Sequence, residues 1–336
     1  MKICVVGAGA IGGYMAVHLS LAGHEVSVVA RGPHLAAIRT HGLKLIENDE
    51  ILIADSLIAT NSISDLSEQD VVLLALKAHQ IEPIVDSLSS LLGKNTVIVT
   101  LQNGIPWWYF QKLGGEYENS IVKTVDPSGI LFAHIDPARL IGCIAYPAAM
   151  ILEPGVIKHI EGDKFPVGEL DGTQSDRLSM VSDLFISAGF KSRILDDIRS
   201  EIWLKLWGNL TFNPISALTH STLVDICQFS LTRELAALMM TEAQSVAEKL
   251  GARFRVTLER RIAGAEGVGK HKTSMLQDLE AGKPMEIEGL LGVVIELAEL
   301  TSVAVPTLRT IYACISLLDN TVQRENLYIR GETSNV

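Results

Sequence analysis

The chain has 336 residues, 48% of them hydrophobic and 5% aromatic, and its 28 basic against 39 acidic side chains leave a formal net charge of −11. The length exceeds one average domain and predicts two, each with its own core. The acidic balance excludes a nucleic-acid surface or an anionic membrane as partner, since both need a clustered basic face; an anionic small molecule in a local basic pocket stays open.

Residues 2–6, KICVV, are β-rich and run straight into glycines, and AIGGYMAVHLSLAG then has helical spacing up to Gly23. This reads as strand, tight turn, helix. Five glycines in the first 23 residues argue against a signal peptide or membrane span, and no other segment is long and charge-free enough to cross a bilayer, so a soluble cytoplasmic protein is expected. Cys4, Cys143, Cys227 and Cys314 are far apart and are expected as small apolar core residues in a reducing compartment.

The turn GAGAIG sets Gly7, Gly9 and Gly12 in G-x-G-x-x-G spacing, with Ala8, Ala10 and Ile11 between them. The first glycine permits the turn, the second lets backbone approach a pyrophosphate, and the third lets the helix pack on the strand, so a dinucleotide site is expected. A second strand, residues 24–31, ends in VVAR. An acidic residue there would bind ribose hydroxyls; Arg31 instead suits a 2′-phosphate, which favours NADP(H).

Residues 70–77 (DVVLLALK) and 95–104 (NTVIVTLQNG) read as buried strands separated by the helix-like IEPIVDSLSSLL. This alternation predicts a parallel, doubly wound sheet. Lys77 and Asn103 close these strands at the carboxyl edge, where ligands bind in open α/β sheets. Lys77 suits a phosphate and Asn103 the nicotinamide end or a substrate; either also reads as a strand-end polar residue meeting solvent. From 120 to 170 the pieces RLIGCIAYP, GVIKHI and KFPVGEL are expected to extend the same sheet, partly antiparallel.

Beyond LDDIRSE the periodicity is helical in segments 199–218, 231–250, 255–280, 284–302 and 306–326, predicting an all-α second domain. The expected layout is α/β: a Rossmann-type, doubly wound domain over 1–195, a helical domain over 196–330 and a flexible tail over 331–336. The apolar segments 284–302 and 306–318 pack either within that domain or in a homodimer.

KLWGNLTFNP places Lys205, Asn209 and Asn213 four residues apart. At about 100° per residue all three share one flank of a helix, with Trp203, Trp207 and Leu210 opposite. Pro214 is expected to end or kink that helix. Asparagine is a poor interior helix residue, so the line needs an explanation. It reads as a solvated stripe, or as a cation and two amides suited to a keto acid: the ammonium polarises the carbonyl and gives the alkoxide its proton. A second polar cluster, residues 273–289, carries Ser274, Gln277 and Asp278 at helical spacing, then Glu286 and Glu288 where carboxylates also compensate a helix dipole. Nine histidines show no metal-ligand spacing; His159, His220 and His271 read as surface or supporting groups, and no G-x-S-x-G elbow is present.

In this order, GAGAIG, Arg31, LKAHQ, LQNG, KLWGN with NP, and SMLQDLEAGKPMEIEG resemble the ketopantoate reductase family, the NADPH-dependent 2-dehydropantoate 2-reductases of pantothenate and coenzyme A biosynthesis. The resemblance implies a helical domain similar to the C-terminal domain of 6-phosphogluconate dehydrogenase. It implies Lys205 as general acid, Glu286 as the carboxylate assisting it, and Asn209, Asn213 and Ser274 as ligands of the keto acid. Asn103 would stand between substrate and cofactor, and Gly7 to Gly12, Arg31 and Lys77 would bind NADPH, with the reaction in a cleft between domains. The aromatic run IPWWYF departs from the family pattern and is expected to form part of a bulkier wall over 105–125. Three alternatives stay open: reduction of another branched 2-keto acid, a β-hydroxyacid dehydrogenase, and a non-catalytic NADP(H)-binding sensor.

Overall fold

Apolar runs punctuated by glycine turns fold the N-terminal part of the chain around a parallel sheet. The computed structural model describes residues 1–77, 80–325 and 327, and the expected tail 331–336 lies outside them. The chain forms two compact units: Met1–Val122 with Asp126–Ile198, and Lys123–Val125 with Arg199–Val336.

The first unit holds strands β1 (Lys2–Val6), β2 (Glu25–Val29), β3 (Leu43–Glu47), β4 (Glu50–Ala54), β5 (Ile58–Thr60), β6 (Gln69–Leu74) and β7 (Leu92–Thr100). It continues with β8 (Leu140–Cys143), β9 (Ala148–Glu153), β10 (Val156–Glu161), β11 (Val167–Gly168) and β12 (Ile194–Leu195). Its helices are α1 (Ala10–Leu21), α2 (Gly32–His41), the short α3 (Ile130–His134) and α4 (Asp176–Ser187). The main sheet runs β12-β11-β8-β7-β6-β1-β2-β5, parallel from β8 to β5, with β11 antiparallel to β8. From β1 the chain builds outward through β2 to β5, then returns to β6 on the other flank, so the winding reverses beside β1.

The expected extension of this sheet over 120–170 holds for β8 and β11 and fails for GVIKHI. That segment is β10, which joins a separate sheet of order β4-β3-β10-β9. The β3 to β4 hairpin turns at Asn48 and Asp49, both at positive φ, as a two-residue hairpin turn demands. Helix α1 is enclosed by both sheets. A Cβ on Gly12 would stand 2.8 Å from Ala75 Cβ, and one on Gly13 would stand 2.8 Å from Ile157 Cγ1, so consecutive glycines admit the strand-edge backbone on one side and β10 on the other. The segment expected as a helix over 81–92 forms two 3₁₀ pieces, Glu82–Ile84 and Asp86–Leu91. Pro83 and a serine-rich sequence disfavour a longer α-helix there.

The second unit contains α5 (Ile198–Thr219), α6 (Leu223–Gln228), α7 (Ser230–Lys249), α8 (Leu258–Gly267), α9 (Ser274–Glu280), α10 (Val293–Leu300) and α11 (Pro306–Glu325). The segment expected as one helix over 255–280 is therefore two, and α6 has no counterpart among the expected segments. A π-helical turn, Glu288–Gly292, leads into α10. Trp203 and Trp207 are fully buried on α5, and Trp207 Nε1 donates to Met240 O of α7 at 2.7 Å. Of the two outcomes expected at Pro214, an end to the helix fails: α5 runs through it. Residues 211–217 are buried without a break, and that packing outweighs the roughly 3 kcal/mol an interior proline costs.

Two carboxylates of this unit cap main chain. Glu242 of α7 accepts from Thr307 and Leu308 N–H, both at 2.9 Å, satisfying the start of α11. Glu296 of α10 accepts from Lys123 and Thr124 N–H, both at 2.7 Å, which holds the detached segment 123–125 on the helical unit. Cys4, Cys143 and Cys227 are buried as expected, whereas Cys314 is exposed, and none of the four is in a disulfide. No described helix is long and apolar enough to cross a membrane.

Candidate active site

The glycine turn follows β1 directly, and each of its glycines meets a different constraint. Gly7 has φ +104°, and a Cβ there would lie 2.9 Å from Ala75 O. A Cβ on Gly12 would lie 2.0 Å from Gly7 O, so α1 approaches the turn more closely than any other residue permits. Gly9 is the opposite case: a Cβ there meets nothing within 4 Å. The N–H groups of Gly7 and Ala8 both donate to Val29 O at 3.2 Å, fixing the turn against the end of β2. Ala10, Ile11 and Gly12 open α1, where main-chain N–H groups have no partner inside the helix. Open space before Gly9 and free donors behind it fit a pyrophosphate.

Strand register brings the other expected cofactor residues to the same edge of the sheet. Val6 pairs with Val29 and with Leu74, and Leu74 pairs with Thr100. Gly7, Arg31, Lys77 and Asn103 thus follow the carboxyl ends of β1, β2, β6 and β7, four adjacent parallel strands. Arg31 is exposed at the N-terminal boundary of α2, and Ala30, Gly32, Pro33 and His34 around it offer no carboxylate. Lys77 is half-buried and Asn103 exposed.

In the second unit, α5 presents Lys205 and Asn209 half-buried on one flank and Asn213 buried. This departs from a solvated stripe. Asn213 Nδ2 comes within 3.5 Å of Ser274 Oγ at the start of α9, where Thr273 caps the helix by accepting from Leu276 N–H at 3.3 Å. Glu286 is half-buried in the coil after α9, and its neighbour Met285 donates its N–H to Asp319 Oδ1 of α11 at 3.1 Å. Glu288 turns elsewhere and accepts from Tyr312 at 2.8 Å.

The aromatic run expected as a bulky wall is core instead: Trp107, Trp108, Tyr109 and Phe110 are buried, and Trp108 Nε1 donates to Thr100 Oγ1 at 3.1 Å. His159 is more than a surface group. Its Nδ1 lies 2.9 Å from Glu47 Oε1, its ring stacks on Tyr14, and Glu47 also reaches His18 Nε2 at 3.0 Å. Burial and the adjacent Glu47 push the Tyr14 phenol well above its ordinary range. No group of three or more ligating side chains among the described residues could hold a metal ion.

Three residues beside the expected set were not singled out by spacing. Both amide atoms of Gln102, next to Asn103, are buried without a protein partner, which suits an amide-bearing ligand at the strand edge. Arg261 of α8 lies against Gly208, where a Cβ would stand 2.0 Å from its Nη2, so the glycine within KLWGN seats a guanidinium one turn from Lys205. His34 contacts the glycine turn through Nε2, 2.8 Å from Ala8 O, while its Nδ1 accepts from Gly155 N–H at 3.0 Å. Only the glycine in LWGN carried a sequence signal for any of these, as a small residue inside a helix.

Comparison with known proteins gives two consecutive family matches: ketopantoate reductase PanE/ApbA over residues 3–172, and the ketopantoate reductase PanE/ApbA C terminal over residues 197–319. A 2-dehydropantoate 2-reductase of Mesorhizobium japonicum is 50% identical over 319 residues, covering 95% of this chain and 98% of that one. The crystal structure of a candidate ketopantoate reductase from Ralstonia solanacearum MolK2 superposes with a TM-score of 0.91 at 35% identity, covering 95% and 98% of the two chains. A 2-dehydropantoate 2-reductase from Methylococcus capsulatus superposes with a TM-score of 0.79 at 27% identity, covering 96% and 98%.

Proposed function

Because this chain belongs to the ketopantoate reductase family, we propose that it reduces the 2-keto acid 2-dehydropantoate to pantoate, using NADPH. The observation that carries this reading is the flank of α5: a lysine and an asparagine half-buried on a mostly buried helix, with Asn213 beside Ser274.

The cofactor, when bound, supplies the hydride for the ketone carbon. The first-turn N–H groups of α1 hold its pyrophosphate in the space before Gly9, and Arg31 pairs with the 2′-phosphate as a planar two-pronged donor. Lys77 adds a cation at the phosphates, and Asn103 reaches the nicotinamide end and the substrate. Lys205 donates a hydrogen bond to the ketone oxygen and passes its proton there as negative charge develops, so ketone, hydride and proton become a secondary alcohol. Glu286 assists Lys205 and contacts the substrate. Asn209, Asn213 and Ser274 each offer donors and acceptors, which lets them fix carboxylate and hydroxyl oxygens.

The test is NADPH oxidation across a panel of 2-keto acids that includes 2-dehydropantoate, repeated with NADH and with Arg31→Ala. The expected result is the highest kcat/KM for 2-dehydropantoate with NADPH, and a preference for NADPH over NADH that falls about tenfold in the variant, the worth of a charge-assisted contact. Tight NADPH binding with no turnover of any keto acid would leave a non-catalytic dinucleotide-binding protein. A better branched 2-keto acid would move the substrate and keep the reaction.

A further inference from the structure

His34 lies half-buried in the first turn of α2, and main chain engages both of its ring nitrogens. Nδ1 receives the N–H of Gly155 at 3.0 Å, while Nε2 stands 2.8 Å from the carbonyl oxygen of Ala8. A main-chain N–H only donates and a carbonyl only accepts. The partners therefore assign the ring as neutral, with its single proton on Nε2.

Ala8 stands between the first two glycines of the turn. The peptide unit joining Ala8 to Gly9 is planar and trans, so its carbonyl and its N–H point in opposite directions. Turning the Ala8 carbonyl toward His34 turns the Gly9 N–H away from it. Gly9 is also the residue that has nothing within 4 Å of an added Cβ. The Gly7 and Ala8 N–H groups are already committed to Val29 O, so they cannot set this peptide plane from the other side.

The far end of the strut is equally fixed. Gly155 turns between β9 and β10 at φ +79°, its carbonyl accepts from Lys44 N–H of β3 at 2.9 Å, and a Cβ there would stand 2.8 Å from Ala37 Cβ of α2. The imidazole thus spans from the smaller sheet to the glycine turn.

We propose that His34 is a positioning residue for the dinucleotide: through Nε2 it holds the Ala8 carbonyl and thereby aims the Gly9 N–H as a phosphate donor. The inference rests on the cofactor reading given above and adds a residue to it.

The two bonds can be separated by substitution. An asparagine amide oxygen stands near the place of Nδ1 and keeps the acceptor for Gly155, whereas a glutamine amide nitrogen reaches the place of Nε2 and keeps the donor to Ala8. NADPH titrations of wild type, His34→Ala, His34→Asn and His34→Gln, with thermal midpoints for each, form the experiment. His34→Ala and His34→Asn are expected to raise the Kd for NADPH about tenfold, the worth of one hydrogen bond, and His34→Gln by no more than about threefold. KM for NADPH should move more than kcat, and affinity should not follow the thermal midpoints. Retained affinity in His34→Asn with loss in His34→Gln overturns the proposal, as does unchanged affinity in His34→Ala or a loss that tracks the midpoints across all three. A wild-type protein that binds neither NADPH nor NADH fails the cofactor reading itself and carries this inference with it.

Discussion

The glycine turn after β1 and the polar flank of α5 are built from opposite materials. At the turn, the proposed dinucleotide binding uses main-chain groups and the space that missing side chains leave: Gly12 is closed to a Cβ by Gly7 O, while Gly9 is open. On α5 the backbone is engaged in the helix, save where Pro214 removes an N–H, and the proposed chemistry rests on the ends of Lys205, Asn209 and Asn213. A turn of the first kind couples binding to fold, because the atoms that bind are the atoms that pack. A helix of the second kind separates them, because Trp203 and Trp207 carry the packing on another face.

The largest test of that separation is Lys205→Ala. Loss of the proposed general acid should lower kcat about a hundredfold or more in the reductase assay, while the thermal midpoint stays near wild type. A large fall in the midpoint with residual activity would merge the two roles of α5. Next come the paired substitutions Gly12→Ala and Gly9→Ala. A Cβ at Gly12 meets a backbone oxygen that cannot rotate away, so about 3 kcal/mol of stability should be lost in urea denaturation. A Cβ at Gly9 meets open space, so stability should hold within about 0.5 kcal/mol while NADPH affinity falls. The reverse ranking would break the account of the turn.

The smallest effect concerns acid. His18 on α1 is pushed below its ordinary value chiefly by burial, with Glu47 opposing. As pH falls below the ordinary histidine range, the unfolded chain takes up a proton that folded His18 resists. This contribution to stability is complete above that range and is lost as pH drops through the lowered folded value. Urea midpoints between pH 7.5 and 5.0 should therefore fall, and His18→Gln should flatten the fall. An unchanged slope would remove His18 as a source of acid sensitivity in the unit that carries the turn.

Legibility in the sequence followed locality. β1, β2, β6 and β7 were readable because each is a short apolar run stopped at an edge, and GAGAIG announced its turn within six residues. The smaller sheet was not readable, because β3 and β10 pair across more than a hundred residues and neither strand names its partner. The expected stop at Pro214 fails for a related reason: a local rule against proline was overruled by burial around it. On α5 the spacing of Lys205, Asn209 and Asn213 was visible, but that Lys205 stays half-buried and that Arg261 rests on Gly208 depend on tertiary packing. His34 was invisible for the same reason, since its partners lie 26 and 121 residues away.

The segment Lys123–Val125, secured by Glu296, has a consequence for any attempt to divide the protein. The polypeptide passes between its units at three points in sequence rather than one, after Val122, after Val125 and after Ile198. A fragment beginning at Arg199 would lack the two N–H groups that Glu296 accepts, and a fragment ending at Ile198 would carry three residues that belong elsewhere. No single cut yields two complete halves. Gene fusion, domain exchange or split-protein reconstitution in this chain must therefore carry a three-residue stitch across the boundary.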